Sequence, residues 1–311
     1  MTLAVARRVG KSVTLAADWR LRPPKGFEHR VPRDQDGALK VVILHPHLAV
    51  AYAGGHISAL DALRAFADLG PLQDVDDIVP DMVEHLQDVS GRATDDRADF
   101  LLGLAGESPR IARIRDGEVL WPTDGAQIGD SEAVEAFLAA EHVDPVRDRL
   151  FGEGFEPEAR DELKARYAKT VVSRIIETGV GGPTIGGPVV EASIRDGRFR
   201  YGGVIGKMST QPQIIVGDPE KVPEAERKNA EMRRIDGGSV DWEICAPKQA
   251  GVGALGLYFT QPRLGIFAYP MRHDELVTYS KVQRQEFATR VAAEYQIELD
   301  VLGADRSDSV D

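Results

Sequence analysis

Two short hairpins at the start of the chain constrain the fold more than any other feature. Residues 3–7 and 12–17 have the composition of strands, and Gly10-Lys11 between them supplies a tight turn. Residues 40–44 and 48–53 repeat this pattern around a turn at residues 45–47. The sequence therefore predicts two hairpins, with four strands in all, within the first 53 residues.

The order of the later elements indicates that helices cover the sheets formed by these strands. A helix is predicted from Ser58, because apolar residues recur there at helical spacing. Further helices are predicted at 78–89, 131–140 and 158–178, and further strands at 100–105, 110–115, 118–121, 125–128, 189–194 and 198–204. Strands, two helices, strands, two helices and strands favour an α/β fold in which helices cover a sheet sandwich, rather than a doubly wound sheet.

The C-terminal third is expected to be an appended α/β segment. Residues 252–270 resemble paired strands, and residues 283–295 are amphipathic at helical spacing. Residues 220–234 are highly charged and are interpreted as a solvated helix or a loop. The polar tail at 303–311 is expected to be disordered. We therefore divide the chain into residues 1–205 and an extension of unknown role at 206–311.

Composition excludes several classes of function. The net charge of −12 over 311 residues gives no overall attraction to nucleic acid or anionic lipid. The lone Cys245 rules out an intrachain disulfide, argues against a cysteine zinc site, and is expected to be a buried, inert thiol. His45 and His47 suggest a metal pair, but a hairpin turn explains them better. Without a signal sequence or a membrane-length apolar run, we expect a soluble, cytoplasmic protein with no metal or cofactor.

Four residues at the ends of the predicted strands suggest chemistry. A threonine at a chain terminus can act as a nucleophile, because its free α-amine, with a pKa of about 7.7–8.0, accepts the hydroxyl proton. Such a site also needs a cation, a carboxylate that fixes the cation and a backbone N–H for the oxyanion. Thr2, Asp18, Lys40 and Gly54 supply these parts in order, with Gly54 just before a helix N-terminus.

These segments resemble a known family. Residues 2–6 (TLAVA), 13–20 (VTLAADWR) and 51–55 (AYAGG), together with Lys40, look like a proteasome β-type subunit or the related bacterial self-compartmentalising peptidase. The resemblance implies a four-layer α/β/β/α sandwich of the N-terminal-nucleophile hydrolase superfamily. It also implies that Thr2 is the nucleophile, that Asp18 and Lys40 are its partners, and that Gly54 donates the oxyanion amide.

Other positions of the family pattern are only partly matched. In the family, a serine after a glycine supports the terminal amine, whereas here Asp130 follows Gly129 and Ser131 comes one residue later. Residues 182–187 lack the acid of the family's late glycine-rich motif, and the loop between Asp18 and Lys40 is several residues longer. Arg20, Ala53 and Gly55 are expected to contact substrate. His56 either lines the substrate pocket or is a surface residue at a helix start.

The sequence leaves three functional hypotheses. The first is a threonine peptidase or amidohydrolase that acts through an acyl-enzyme on Thr2. The second is an acyl or peptidyl transferase that uses the same ester, and the third is a non-catalytic, proteasome-like structural subunit. Both enzymes need Met1 to be removed, and threonine is small enough for methionine aminopeptidase to act. The resemblance implies a peptide or small amide substrate, a homo-oligomer and a possible unfoldase ring as partner.

Overall fold

The structure, a computed structural model, shows a mixed α/β protein, which is the class expected from the sequence. It describes residues 3–19, 39–70, 72–93, 97–143, 156–178, 188–202, 204–209, 239–260, 263–273 and 276–301. These residues form fifteen strands and five helices, and the strands make three five-stranded antiparallel sheets. None of the described helices is both long and apolar enough to span a membrane.

The first sheet contains the predicted hairpin at the chain start. Its strands are ordered β10–β9–β2–β1–β8, so β1 and β2 occupy its interior. The turn between them has Gly10 at a φ of +55°, a conformation that glycine adopts without strain. The bounds are β1 Leu3–Val9, β2 Ser12–Asp18, β8 Gly125–Gly129, β9 Val189–Arg195 and β10 Arg198–Tyr201.

The second sheet follows chain order from β3 to β7. Its first two strands are the second predicted hairpin, with residues 45–47 at the turn. The bounds are β3 Val41–His45, β4 Leu48–Gly54, β5 Ala98–Leu104, β6 Arg110–Arg115 and β7 Glu118–Leu120. Helices α1 (His56–Arg64) and α2 (Val75–Ser90) connect β4 to β5, while α3 (Ser131–Val143) and α4 (Pro157–Thr178) lie between β8 and β9.

Alternating side chains give each of these two sheets one face toward a shared core and one toward helices. In β4, Ala49 and Ala51 enter the core between the sheets, whereas Val50 and Tyr52 pack with residues of α1 and α2. In β1, Ala4 faces the same shared core, and its neighbours pack against α3 and α4. This follows from the two-residue period of a strand, which points successive side chains to opposite faces.

The third sheet is a meander with one helix on its outer side. Its inner face contributes Ile244, Leu257 and Ile266 to the core shared by the other two sheets. Its outer face packs against α5 through Phe287 and Val291. The bounds are β11 Val204–Ser209, β12 Ser239–Cys245, β13 Leu255–Phe259, β14 Leu264–Ala268, β15 Val277–Ser280 and α5 Arg284–Tyr295.

Tyr201 in β10 of the first sheet and the loop after β14 of the third sheet both form hydrogen bonds to the second sheet or its helices. The hydroxyl of Tyr201 donates to the carbonyl of Val41 at 2.9 Å and accepts from the amide of Ile43 at 3.2 Å, so it completes hydrogen bonds along the outer edge of β3. Beyond β14, the loop at 269–273 contacts α1, where Arg64 Nε donates to the carbonyl of Pro270 at 2.9 Å.

A buried ion cluster holds α4 against the first sheet. The Glu191 side chain in β9 is 1% exposed and is paired with Arg166 of α4. Lys169 Nζ lies 3.6 Å from its second carboxylate oxygen, and an Arg195 nitrogen lies 3.8 Å from the first. Burial lowers the pKa of Lys169, and the charge of Glu191 opposes that shift. Three cations therefore surround the buried Glu191 carboxylate, and two of them, Arg166 and Arg195, also pair with Glu162.

Some element boundaries differ from the sequence-based ones. The helix expected from Ser58 begins at His56 and ends at Arg64, so Phe66 and Leu69 lie after it although they continue its apolar spacing. The predicted strand at 198–204 is interrupted, because β10 ends at Tyr201 and Val204 begins β11 of the third sheet. The segment at 220–234 and the tail at 303–311 lie outside the described residues.

Candidate active site

The candidate site lies where three strand ends of the first sheet meet two strand ends of the second. In the first sheet, Leu3 pairs with Gly129 of β8, and Ala4 pairs with Ala17 of β2. This register brings Asp18, at the end of β2, beside the start of β1. Thr2 precedes Leu3 directly in the sequence and itself lies outside the described residues, as does Arg20.

Asp18 connects the chain start to the second sheet. Its Oδ1 accepts a hydrogen bond from the Leu3 amide at 3.2 Å, and this amide belongs to the peptide bond that joins Leu3 to Thr2. Its Oδ2 accepts from Lys40 Nζ at 2.9 Å. The Asp18 side chain is 0% exposed and that of Lys40 is 11% exposed, so the ion pair is almost fully shielded from water. Asp18 and Lys40, which are 22 residues apart, thus meet as the sequence predicts.

The backbone around Lys40 fixes where its side chain begins. Lys40 directly precedes β3, and its carbonyl accepts a hydrogen bond from the Tyr52 amide of β4 at 3.0 Å. This hydrogen bond to β4 therefore restrains the backbone of the residue that carries the cation. Rigid strand ends of this kind are suited to holding charged groups in fixed positions.

Gly54 occupies a position that requires glycine. It is the last residue of β4 and has a φ of +100°, in a region that side-chain-bearing residues rarely adopt. A Cβ atom at this position would lie 2.4 Å from the carbonyl oxygen of Arg97. The chain then turns at Gly55, which is the N-cap of α1, and His56 begins that helix. Gly54 therefore lies where the chain turns sharply out of the sheet, next to the N-terminus of α1.

The two candidates after β8 have different surroundings. The Asp130 carboxylate accepts a hydrogen bond from the Ala133 amide at 3.1 Å, and its carbonyl accepts from Val134 at 2.9 Å, so Asp130 caps α3. Ser131 is the first residue of that helix and is exposed. Both follow Gly129, which pairs with Leu3, and so both lie near the chain start.

Of the four expected substrate-contacting residues, three lie within the described ranges. Ala53 is 3% exposed and faces the core between the sheets, which leaves only its backbone for a ligand. His56 is partly exposed at the start of α1, a position that fits either of the interpretations given to it. The Gly55 amide already donates to the carbonyl of Arg97 at 2.9 Å.

Tyr52 is a nearby polar residue that sequence reasoning did not select. Its side chain is 1% exposed, and its hydroxyl has no hydrogen-bond partner within the described ranges. Burial raises its pKa, the charge of Arg64 partly opposes this, and the carboxylate of Asp18 adds to it. A tyrosine in an apolar strand is normally interpreted as a core residue. Only its position opposite Lys40 in the hairpin could have marked it as a candidate.

The two weaker sequence candidates have structural roles. The Nδ1 atom of His45 accepts a hydrogen bond from the backbone amide of His47 at 3.1 Å, as expected for the turn between β3 and β4. Across the described part of the chain, no group of three or more His, Cys, Asp or Glu side chains could hold a metal ion. Cys245 is buried, as expected from the sequence, and burial raises the pKa of its thiol.

Comparison with known proteins gives no family for this chain. No family model matches it, and no curated protein matches its sequence.

Proposed function

We propose that this protein is an N-terminal threonine hydrolase that cleaves peptide or amide bonds through an acyl-enzyme on Thr2, after removal of Met1. One observation carries the proposal: a buried Asp18–Lys40 ion pair that also binds the Leu3 amide, one peptide bond from Thr2. A carboxylate that holds both a lysine and the start of the chain is the arrangement a terminal nucleophile requires.

The packing of the chain supports the corresponding fold. Helices α1 and α2 pack on one side of the second sheet, α3 and α4 pack on one side of the first, and the two sheets share a core. We propose that residues 1–205 form the four-layer α/β/β/α sandwich of the N-terminal-nucleophile hydrolases. In this assignment the third sheet is an addition that the resemblance does not cover.

The reaction follows from the roles of these groups. The Thr2 hydroxyl oxygen attacks the substrate carbonyl carbon, and its proton passes to the Thr2 amine. The nearby ammonium of Lys40 favours the neutral amine and the developing alkoxide, and Asp18 orients that ammonium. The C–N bond then breaks, the leaving amine takes the proton, and an ester remains on Thr2. Water, deprotonated by the same amine, hydrolyses this ester.

The backbone amide of Gly54 is proposed to stabilise the tetrahedral intermediate. A fixed N–H directed at the developing oxyanion typically contributes about 2.7–4 kcal/mol to the transition state. Gly54 has a positive φ, and the nearby Arg97 carbonyl leaves no room for a Cβ, so this part of the backbone requires glycine. The N-terminus of α1, which begins two residues later, adds a favourable field for negative charge.

The neighbours of β4 restrict how a peptide substrate could bind. Strands β3 and β5 pair with β4 on its two sides, and the Tyr52 amide is already bonded to Lys40. Because backbone groups alternate sides along a strand, the first β4 amide beyond Tyr52 that points to the β3 side is that of Gly54. We infer that the substrate contacts a short segment, Ala53–Gly55, as an extended chain or a small amide.

Intact-mass measurement and covalent labelling test the proposal. We expect the purified protein to lack Met1 and to gain the mass of one β-lactone or epoxyketone probe, and we expect Thr2→Ala to prevent labelling. Retained Met1, or labelling that survives Thr2→Ala, would contradict both enzyme hypotheses and favour a non-catalytic subunit. If labelling occurs, product analysis with an added amine acceptor separates hydrolysis from acyl transfer.

The expected assembly and location form part of the same proposal. Proteasome-like subunits assemble into rings, and we propose a cytoplasmic homo-oligomer that works with an unfoldase ring. Light scattering coupled to size-exclusion chromatography measures the assembly directly. A strictly monomeric protein that is nevertheless labelled at Thr2 would favour small amide substrates over unfolded chains.

A further inference from the structure

A second site is suggested by an open groove at the opposite end of the second sheet. It has a volume of about 1040 Å³ and lies between the N-terminal half of α2 and the turn that joins β5 to β6. Leu104 in this groove pairs with Leu48 at one end of β4, whereas Gly54 lies at the other end. Six residues of strand correspond to roughly 20 Å, so the groove is separate from the candidate active site.

The floor of the groove is apolar and well packed. Val75, Val79 and Leu104 contribute to it while being only 3–7% exposed, because their other sides belong to the core under α2. Ligand clefts of roughly 300–1,000 Å³ hold small molecules. A groove at the upper end of that range, open along one side, has room for several residues of an extended chain.

The walls of the groove carry an excess of negative charge. Asp74, Asp76 and Glu107 line it and are all exposed, whereas its one Lys or Arg among the described residues, Arg110, is paired with Asp76. The N-terminus of α2 adds roughly half a positive charge. Because the Arg110–Asp76 pair is neutral, the two carboxylates of Asp74 and Glu107 outweigh this half charge, and the imbalance favours a cationic ligand. The net charge of −12 on the whole chain acts in the same direction.

An aromatic side chain at the rim already holds a cation. The guanidinium carbon of Arg110 lies 5.4 Å from the centre of the Trp121 ring, within the range of a cation–π contact. The Trp121 side chain is 46% exposed, so much of its surface stays open to solvent. Exposed tryptophans that flank apolar depressions are typical of the residues that dominate binding interfaces.

We propose that this groove binds an extended peptide segment in which basic and aliphatic side chains alternate. The aliphatic side chains would lie on the valine and leucine floor, and the basic ones would reach the carboxylates of Asp74 and Glu107 and the open face of Trp121. This binding mode does not depend on Thr2 chemistry. A protein without hydrolase activity would retain it, and the two proposals can therefore fail separately.

Fluorescence anisotropy with labelled hexapeptides tests the proposal on the full chain. The probe is the sequence LKVRLK; LEVELE reverses its charge, and GKGRGK keeps the charge but removes the aliphatic side chains. We expect LKVRLK to bind more tightly than either control peptide and to weaken as salt is raised. Equal binding of LKVRLK and GKGRGK, or no binding of LKVRLK, would overturn the proposal.

Matched variants show whether binding occurs in the groove. We expect Trp121→Ala to raise the dissociation constant for LKVRLK about threefold to thirtyfold, the range of a cation–π contact. Leu138→Ala, which alters an exposed residue of α3, should leave it unchanged. Glu107→Lys should weaken binding more than Asp88→Lys, which changes α2 outside the groove. If Trp121→Ala and Leu138→Ala change the dissociation constant equally, or if Glu107→Lys and Asp88→Lys do, the groove is not the site. Binding would then reflect the acidic surface in general.

Discussion

Replacing Lys40 with methionine tests the arrangement on which the candidate site depends. At 2.9 Å and an effective dielectric constant of about 20, the attraction between Lys40 and Asp18 is roughly 6 kcal/mol, and most of it offsets the cost of burying both charges. Methionine fills a similar volume but removes the cation. The Asp18 carboxylate then keeps the Leu3 amide and loses its opposite charge.

We expect Lys40→Met to lower the free energy of unfolding by about 3–5 kcal/mol, the usual cost of removing one partner from a buried pair. Adding Asp18→Asn in the same chain should restore part of this loss, because the buried charge then disappears as well. Urea denaturation of the single and double variants gives the coupling between the two side chains. We also expect Lys40→Met to abolish probe labelling at Thr2.

Lys248→Met is the matched control. Lys248 pairs with Glu298 at 3.2 Å, but both side chains are more than half exposed, so its loss should cost at most about 1 kcal/mol. If Lys40→Met costs no more than Lys248→Met, the buried pair does not stabilise the site. The roles proposed for Asp18 and Lys40 would then have to be abandoned.

Three more predictions concern other parts of the fold. Tyr201→Phe removes a hydroxyl that forms hydrogen bonds to two backbone groups of β3, so it should lower the free energy of unfolding in urea by about 2–4 kcal/mol. Tyr258→Phe removes a hydrogen bond to one carbonyl and should lower it by less. Asp130→Ala should cost about 1 kcal/mol because it removes the cap of α3, while Ser131→Ala should be nearly neutral; equal costs would contradict the capping role. Burial raises the pKa of Cys245, so the unfolded chain loses this proton first as pH rises, and stability should fall above about pH 9. Cys245→Ala should reduce that fall in unfolding experiments from pH 8 to 10, and an unchanged slope would contradict it.

The first half of the fold could be predicted because its signals are local. Turn residues such as Gly10 and the apolar spacing of the helices mark elements that form from neighbouring residues. Asp18 and Lys40 flank strands of different hairpins, so spacing alone leaves open whether they meet. The expectation that they do came from the resemblance to a family.

The third sheet was only partly predictable, because its strands depend on distant partners. Strand β12 carries Glu243, whose buried carboxylate lies 3.1 Å from Arg284, a residue 41 positions later. A charge in the middle of a strand argues against burial unless that partner is known. The double hydrogen bond of Tyr201 to β3 and the ion cluster around Glu191 depend in the same way on contacts that no local pattern reveals.

The core shared by the three sheets has a consequence for how the protein is made. Ile266, near the end of β14, packs in the same cluster as Ala4 of β1, and 262 positions separate them. At a synthesis rate of about 5–20 residues per second, the ribosome takes roughly 13–50 seconds to travel between these two codons. During that interval the core between the first two sheets lacks the apolar side chains that the third sheet later adds to it. We therefore expect the nascent chain to engage chaperones until β14 has emerged, and to become resistant to protease only then.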